Sequence, residues 1–245
     1  AALGLFHGQA TFDHYAPYSR NPHLVQDIHV RTADLIPAAA LAAKASRASA
    51  GGPLRLVYVG RADPMKGPLD WIEALELAAR AGVDLRASWI GEGEQIAVLR
   101  DRIAQGPLAG QVTAPGFISD RAEVLGALRD ADALLFCHRT PESPRVLIEA
   151  LVSGTPLVGY EGPFQQALIA GNGAGALVPD GRPDLLAQEL ALLHRHRATL
   201  GRMIAATAEA ARGHDDETAF SHRSQVILTH LPPPGDRAEA LHRPR

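Results

Sequence analysis

Several residue types are scarce in this chain, and each shortage removes a class of protein. One cysteine, Cys137, in 245 residues excludes a disulfide framework and any zinc site built from thiolates. Neither sign of charge dominates: 24 Lys+Arg stand against 27 Asp+Glu, a formal net charge of −3. That balance gives no broad electrostatic footprint for duplex nucleic acid or an anionic membrane, so no nucleic-acid partner is expected. No apolar run reaches the roughly 18 residues that a membrane span needs, so no transmembrane segment is expected. The opening Ala-Ala-Leu-Gly-Leu-Phe-His-Gly has no basic leader, which makes the cytoplasm the expected compartment. Metal-ligand spacing is missing as well. Of the 11 histidines, four lie between His7 and His29 and six at or after His194, leaving only His138 in the middle. None forms a His-x-x-x-His or His-Glu-x-x-His pattern. His194 and His196, two apart on a presumed helix, face different ways.

What is present is the material of a globular core: 46% hydrophobic and 21% charged residues. The length fits one large domain or two small ones. From Leu54 to Val178 short apolar runs alternate with helical spacing. The runs are Leu54–Val59, Leu85–Ile90, Gln111–Ala114, Asp132–Cys137, Pro156–Tyr160 and Ala176–Val178. Between them, Pro68–Ala81, Glu94–Gln105, Arg121–Arg129, Pro144–Ser153 and Pro163–Ala170 read as helices. Strands apolar on both faces, each separated by one helix, predict an α/β protein: a doubly wound parallel sheet of Rossmann-like type.

The flanks read differently. Residues 1–25 show no clean period, Val25–Val30 fits a strand, and Pro37–Arg47 fits an Ala-rich helix. Leu185–Arg212 reads as two helices and Thr218–Thr229 as a last amphipathic one. Pro232-Pro233-Pro234-Gly235 and a charged tail follow, with the composition of a disordered segment.

Ligands of an open parallel sheet bind outside the carboxyl ends of its strands, so the loops there carry the candidate chemistry. Gly60-Arg61-Ala62-Asp63-Pro64-Met65-Lys66-Gly67 follows the first strand of the alternating region and brings two cations and two glycines to a helix start. Arg61 can fork onto phosphate oxygens, and Lys66 supplies a point charge. A solvated turn with incidental charges fits the same spacing. Gly91-Glu92-Gly93-Glu94 follows the second strand, and a tight strand-to-helix turn explains it without a ligand. The segment Cys137 to Glu149 follows the fourth strand. There Ser143 is the expected N-cap and Pro144 the first helical residue. Glu142 fits a capping role near the helix start. Glu149 stands among Ile148, Ala150, Leu151 and Val152, where a carboxylate needs a hydrogen-bonding partner; a ribose diol is one possibility. Asp130-Ala131-Asp132 imitates a metal clamp, but it precedes its strand and so falls on the wrong side of the sheet. Cys137, at a strand end, reads as core rather than nucleophile.

Taken together, these loops resemble a known family. Val57 to Gly67 is similar to the strand and Gly-Arg-x-x-x-x-Lys-Gly signature of the family 4 retaining glycosyltransferases of the GT-B fold. Ile90 to Glu94 resembles their Gly-x-Gly turn, and Gly116-Phe117-Ile118-Ser119-Asp120 their nucleotide-base loop. Ala131 to Leu135, and Pro141 onward through Glu149 to Val158, resemble their donor-binding helix and the strands beside it. The likeness covers roughly Leu54 to Val178, with the motifs in the family's order.

The resemblance implies roles. Gly60, Arg61 and Lys66 would hold the diphosphate of a nucleotide-sugar donor, neutralising charge as the sugar–phosphate bond breaks, so that neither metal nor cofactor is needed. Gly91 would line the same site. Phe117 and Ile118 would flank the base, and Glu149 would bind the ribose. Glu142 would meet the donor sugar, and backbone at Ser143, Arg145 and Val146 would contact sugar and phosphates. On this reading Arg61, Lys66 and Glu142 are the catalytic group. Departures exist: six residues rather than seven separate Glu142 from Glu149, which puts Pro141 at the usual position of the first glutamate. His138-Arg139 replaces small residues, and Ser143-Pro144-Arg145 replaces a Gly-rich segment.

The chain is also short for a GT-B enzyme, which places its active site between two Rossmann-like domains. The expected organisation is residues 1–50 as the trailing edge of an N-terminal domain plus linker. Residues 51–229 would form the nucleotide-sugar-binding domain, and 230–245 a disordered tail. Opening on Ala1 rather than Met fits a chain that starts inside a larger protein. The expected activity is transfer of a hexose from a UDP- or GDP-sugar to a saccharide or lipid-linked acceptor with retention, in partnership with the missing N-terminal domain. The alternatives are a non-catalytic nucleotide-sugar-binding module, or a truncated remnant, that needs a partner carrying that domain, and a sugar-nucleotide epimerase.

Overall fold

A computed structural model describes residues 3–25, 30–140 and 144–230. Glu142 and Ser143, most of the Val25–Val30 segment and the tail from residue 231 lie outside the described residues. The chain divides into two compact units, one of residues 1–32 with 213–245, the other of residues 33–212.

In the smaller unit, β1 (Gly4–His7) and β2 (Pro22–Val25) form a parallel pair joined by α1 (Gln9–Tyr15). Two strands of four residues, with Pro, His and Phe among them, are too short to print an alternation in the sequence. That is why this segment has no visible period.

The larger unit begins with α2 (Ala38–Ala50), the Ala-rich helix. This helix belongs to the same compact unit as the sheet rather than to a linker, and the unit closes at residue 212 rather than 229. The reason is packing: α2 lies along α9 (Arg197–Ala210), burying Leu41 and Ala48 on its inner face.

The six apolar runs become β3 (Leu54–Val59), β4 (Leu85–Ile90), β5 (Val112–Gly116), β6 (Ala133–Phe136), β7 (Leu157–Tyr160) and β8 (Gly175–Val178). Their order across the sheet is β5-β4-β3-β6-β7-β8, with every pairing parallel. The crossovers are α3 (Pro68–Arg80), α4 (Ile96–Gln105), α5 (Arg121–Asp130), α6 (Arg145–Val152) and α7 (Pro163–Ile169). α8 (Pro183–Arg195) then packs on α3. Right-handed crossovers to successive strands put α3 and α4 on one face and α5, α6 and α7 on the other. This is the doubly wound α/β architecture that the alternation predicts.

All residues of β6 and β7 are buried, as strands covered on both faces must be. The widest side chains of the core, Tyr58, Trp71 and Trp89, pack together, with Tyr58 and Trp89 ring centroids 4.1 Å apart.

The last helix, α10 (Asp216–His230), belongs to the smaller unit. It forms where expected but is not amphipathic. Only Ala219 and Val226 are buried on it, while Phe220 and Leu228 are exposed. Ala219 and Val226 are two turns apart, a stripe too narrow to be an apolar face.

Candidate functional site

Strand order reverses between β3 and β6, so the crevice at their carboxyl ends is the switch point where an open α/β sheet takes its ligand. The two loops that leave these strands are tied to each other there. The Arg139 N–H donates to the Met65 carbonyl at 3.0 Å. Gly67 (φ +61°) sits so close to β6 that a Cβ on it would lie 2.5 Å from the Cys137 carbonyl oxygen. Only glycine fits that left-handed, crowded position. Gly67 also starts α3, so Lys66, at the end of a short 3-10 turn over Pro64–Lys66, is held at the exit of β6.

Arg61, at the other end of the same loop, extends into solvent with 78% of its side chain exposed, and its Nε lies 2.8 Å from the Asp63 carboxylate. An ion pair this exposed contributes little, so the guanidinium can exchange Asp63 for a better anion. The Gly91 turn lies directly against this loop. A Cβ on Gly91 would fall 2.0 Å from the Gly60 carbonyl oxygen, and Ala62 exchanges backbone hydrogen bonds with Glu92 and Gln95. The glycines of the Gly-x-Gly segment are thus needed for backbone contact with the cation-bearing loop, whether or not a ligand is bound.

Gly60, Arg61, Gly91, Phe117 and Ile118 line one cleft of about 420 Å³ together with Val59 and Ile90. Five of the residues singled out in the sequence therefore share one cavity. Phe117 is 75% exposed at its edge, an open aromatic face that costs solvation energy when it is left uncovered.

Across the switch point, α6 starts at Arg145 rather than Pro144. Pro144 is the N-cap, and its ψ of 124° is extended, not helical. The Val146 side chain is buried in the core, so only its backbone can meet a ligand.

Glu149 already has a partner. Its Oε1 accepts from Arg121 Nη1 at 3.0 Å. Arg121 also donates through Nε and Nη2 to Oδ2 of the buried Asp34, at 3.3 and 3.2 Å. The carboxylate that the sequence shows among apolar neighbours is satisfied by an arginine at the start of α5. That helix is capped by Asp120, whose side chain accepts from the Ala122 N–H at 2.8 Å. The sequence signal for Arg121 was slight: a cation one residue past the cap that follows the Phe117–Ile118 loop.

Asp70 and Tyr160, to which the sequence assigns no role, also meet at the crevice beside His138 and Cys137. Asp70, on the first turn of α3, accepts from Tyr160 Oη at 2.8 Å and pairs with Arg139. His138 is buried, its Nε2 lying 2.7 Å from Tyr58 Oη. Burial, with the Lys66 charge second, pushes its pKa down to about 3, so the ring is neutral. Cys137 is buried and burial pushes its thiol up, which makes it a core residue as expected. Asp132 is accounted for at the opposite end of β6, where it accepts from Arg47 and from the Arg55 N–H at 3.0 Å each.

Among the described residues no three His, Cys, Asp or Glu side chains are grouped to hold a metal. No helix among them is long and apolar enough to cross a membrane.

Comparison with known proteins agrees with this fold. The family described as "Glycosyl transferases group 1" matches residues 42–210. The amylovoran biosynthesis glycosyltransferase AmsK of Erwinia amylovora is 29% identical over 182 residues, covering 71% of this chain and 44% of the relative. The phosphatidyl-myo-inositol mannosyltransferase of Mycobacterium leprae is 30% identical over 176 residues, covering 71% of this chain and 46% of the relative. The chain therefore spans less than half the length of these relatives. Among solved structures, Anabaena Alr3699/HepE in complex with UDP superimposes with a TM-score of 0.76 at 18% identity, over 94% of this chain and 64% of that one. At that identity the likeness concerns the fold, a Rossmann-like half of the GT-B type.

Proposed function

The chain belongs to the glycosyl transferases group 1 family, and from that premise we propose that it is the donor-binding half of a retaining hexosyltransferase. The donor is a UDP- or GDP-sugar and the acceptor a saccharide or a lipid-linked sugar, brought by an N-terminal domain that completes the cleft. The observation that carries this reading is the loop from Gly60 to Gly67. It holds Arg61 at the mouth of a cleft of about 420 Å³ and Lys66 at the β6 exit, a span suited to a base at one end and a diphosphate at the other. The solved Anabaena neighbour, crystallised with UDP, supports a nucleotide at such a site.

In this reading the base stacks at Phe117 and Ile118, and the ribose hydroxyls reach the Glu149 carboxylate held by Arg121. Arg61 leaves Asp63 for the diphosphate, and with Lys66 it neutralises the charge that builds as the sugar–phosphate bond breaks. With two cations on one loop, this reading calls for no metal. Glu142 remains the proposed contact to the donor sugar, with Ser143, Arg145 and Val146 offering backbone N–H groups near the start of α6.

The test is calorimetry with UDP and GDP. Arg61→Ala and Lys66→Ala should each weaken binding by about tenfold, the loss expected for one charge-assisted hydrogen bond. Full affinity in both variants would refute the phosphate assignment. Release of an epimer from the donor without any acceptor would instead favour an epimerase.

A further inference from the structure

We infer that His138 is a neutral hydrogen-bond donor to the diphosphate of the nucleotide donor, with Tyr58 as the residue that fixes its tautomer; the inference rests on the nucleotide-sugar reading above. Nδ1 of this buried imidazole has no hydrogen-bond partner, and neither does Thr140 Oγ1, two residues on. Buried polar atoms are almost always paired, so an unpaired ring nitrogen in the segment that leaves β6 at the switch point is open to a ligand's polar group.

Its location indicates which group. Cys137, immediately before His138, packs against Gly67, and Arg139, immediately after it, donates its N–H to Met65. His138 is thus held on both sides to the loop that carries Lys66, and the Lys66 charge is felt at the ring. A cationic ligand is disfavoured beside that ammonium. An anion is favoured, and the nearest proposed anion is the diphosphate.

The tautomer follows from the other ring nitrogen. A neutral imidazole has one N–H and one lone pair. Tyr58 Oη, on β3, is 2.7 Å from Nε2 and can donate its proton there. The ring N–H then sits on Nδ1, where only an acceptor such as a phosphoryl oxygen can satisfy it. The ring is clamped between its neighbours, with centroids 5.5 Å from Tyr58 and 5.3 Å from Phe136, so it is placed before the ligand arrives. Tyr58 acts through His138 and is a positioning residue.

The experiment measures nucleotide binding to the 245-residue chain together with imidazole ¹⁵N resonances. His138→Ala should weaken UDP and GDP about tenfold while leaving uridine and guanosine, which lack phosphate, unchanged. A variant that merely disturbed the fold would weaken all four. His138→Asn, which can present an amide N–H near the Nδ1 position, should recover most of the loss. Tyr58→Phe should lose several-fold and abolish the single Nδ1–H tautomer in the spectrum. In the native chain that tautomer should be present, and its Nδ1 resonance should shift as UDP is added.

Three results would overturn the inference: unchanged UDP and GDP affinity in His138→Ala, an unprotonated Nδ1, or a resonance indifferent to saturating UDP. Lys66→Ala separates the levels. If it weakens binding while His138→Ala does not, the nucleotide reading stands and this inference falls. If neither variant changes affinity, both fall. Should His138→Ala fail to fold, the native spectrum with His138→Asn and Tyr58→Phe carries the test.

Discussion

Arg121 is where single side chains do the most to shape the site. Its guanidinium serves two carboxylates at once, the buried Asp34 and the Glu149 proposed for ribose. A fork-shaped cation can do this where a lysine cannot, because its donors lie in one plane and point in fixed directions. Arg121→Met should therefore destabilise the chain by roughly 1–3 kcal/mol, the cost of withdrawing a donor from a buried acceptor. It should also weaken UDP and GDP binding, because Glu149 loses the contact that orients it. Thermal unfolding and calorimetry on the same samples check both effects, and unchanged stability would show that Asp34 does not depend on Arg121. Glu149 could be picked out in the sequence because its neighbours in the chain are apolar. Asp34 and Arg121 could not, since 87 residues separate them and nothing local announces a contact across that distance.

Elements meet at their ends as well as their faces, and α2 shows how. Lys44 is buried on this helix, with Nζ 2.6 Å from Thr155 Oγ1, 3.3 Å from the Leu128 carbonyl and 3.4 Å from the Ser153 carbonyl. Those acceptors lie at the C-terminal ends of α5 and α6, where a helix dipole favours a cation. Arg47, one turn on, donates to the Asp130 carbonyl and to Asp132. Burial nevertheless pushes the Lys44 pKa down from 10.5 to about 7, with Arg47 adding to the effect and Asp132 opposing it. Between those values the unfolded chain keeps a proton that the folded chain has released. Stability should then rise with pH above about 7, by at most about 1.4 kcal/mol per pH unit. Below pH 7 both states hold the proton and the effect levels off. Denaturant unfolding from pH 7 to about 8.5, under the ordinary thiol range, should show this slope in the native chain. Lys44→Met should lose it, along with about 1–3 kcal/mol for the three acceptors left without a donor. Equal slopes in both would mean that Lys44 does not titrate there. The helices themselves were readable from spacing, but Pro37–Arg47 read as a linker helix because its Ala-rich face gives no hint of what it packs against.

At the scale of the whole molecule, a nucleotide site should show itself in the stability of the native chain, without any mutation. A ligand bound only by the folded state raises apparent stability, by about 2.7 kcal/mol at a hundredfold excess over Kd. UDP or GDP should therefore raise the melting temperature of this chain in a thermal-shift panel, and the nucleotide that shifts it more names the base. No shift with any nucleoside diphosphate at millimolar concentration would count against a donor site in the chain. Less than half the length of the curated relatives is spanned here, so on the proposed reading turnover requires a second domain to complete the cleft.

The sequence by itself determined the sheet. Six apolar runs with helices between them leave few right-handed ways to be wound, and the motif order put Arg61, Lys66, Phe117 and Ile118 in loops after strands and Glu149 on the helix after the fourth. Tertiary structure alone decided the partners of those residues: Asp63 for Arg61, Arg121 for Glu149, and Tyr58 with an unmatched nitrogen for His138. The physical reason is that apolar periodicity is a local property of the chain, repeated over many residues. A hydrogen bond between side chains depends on ångström-scale placement of its two groups, whether they stand two positions apart, as Arg61 and Asp63 do, or 80, as Tyr58 and His138 do.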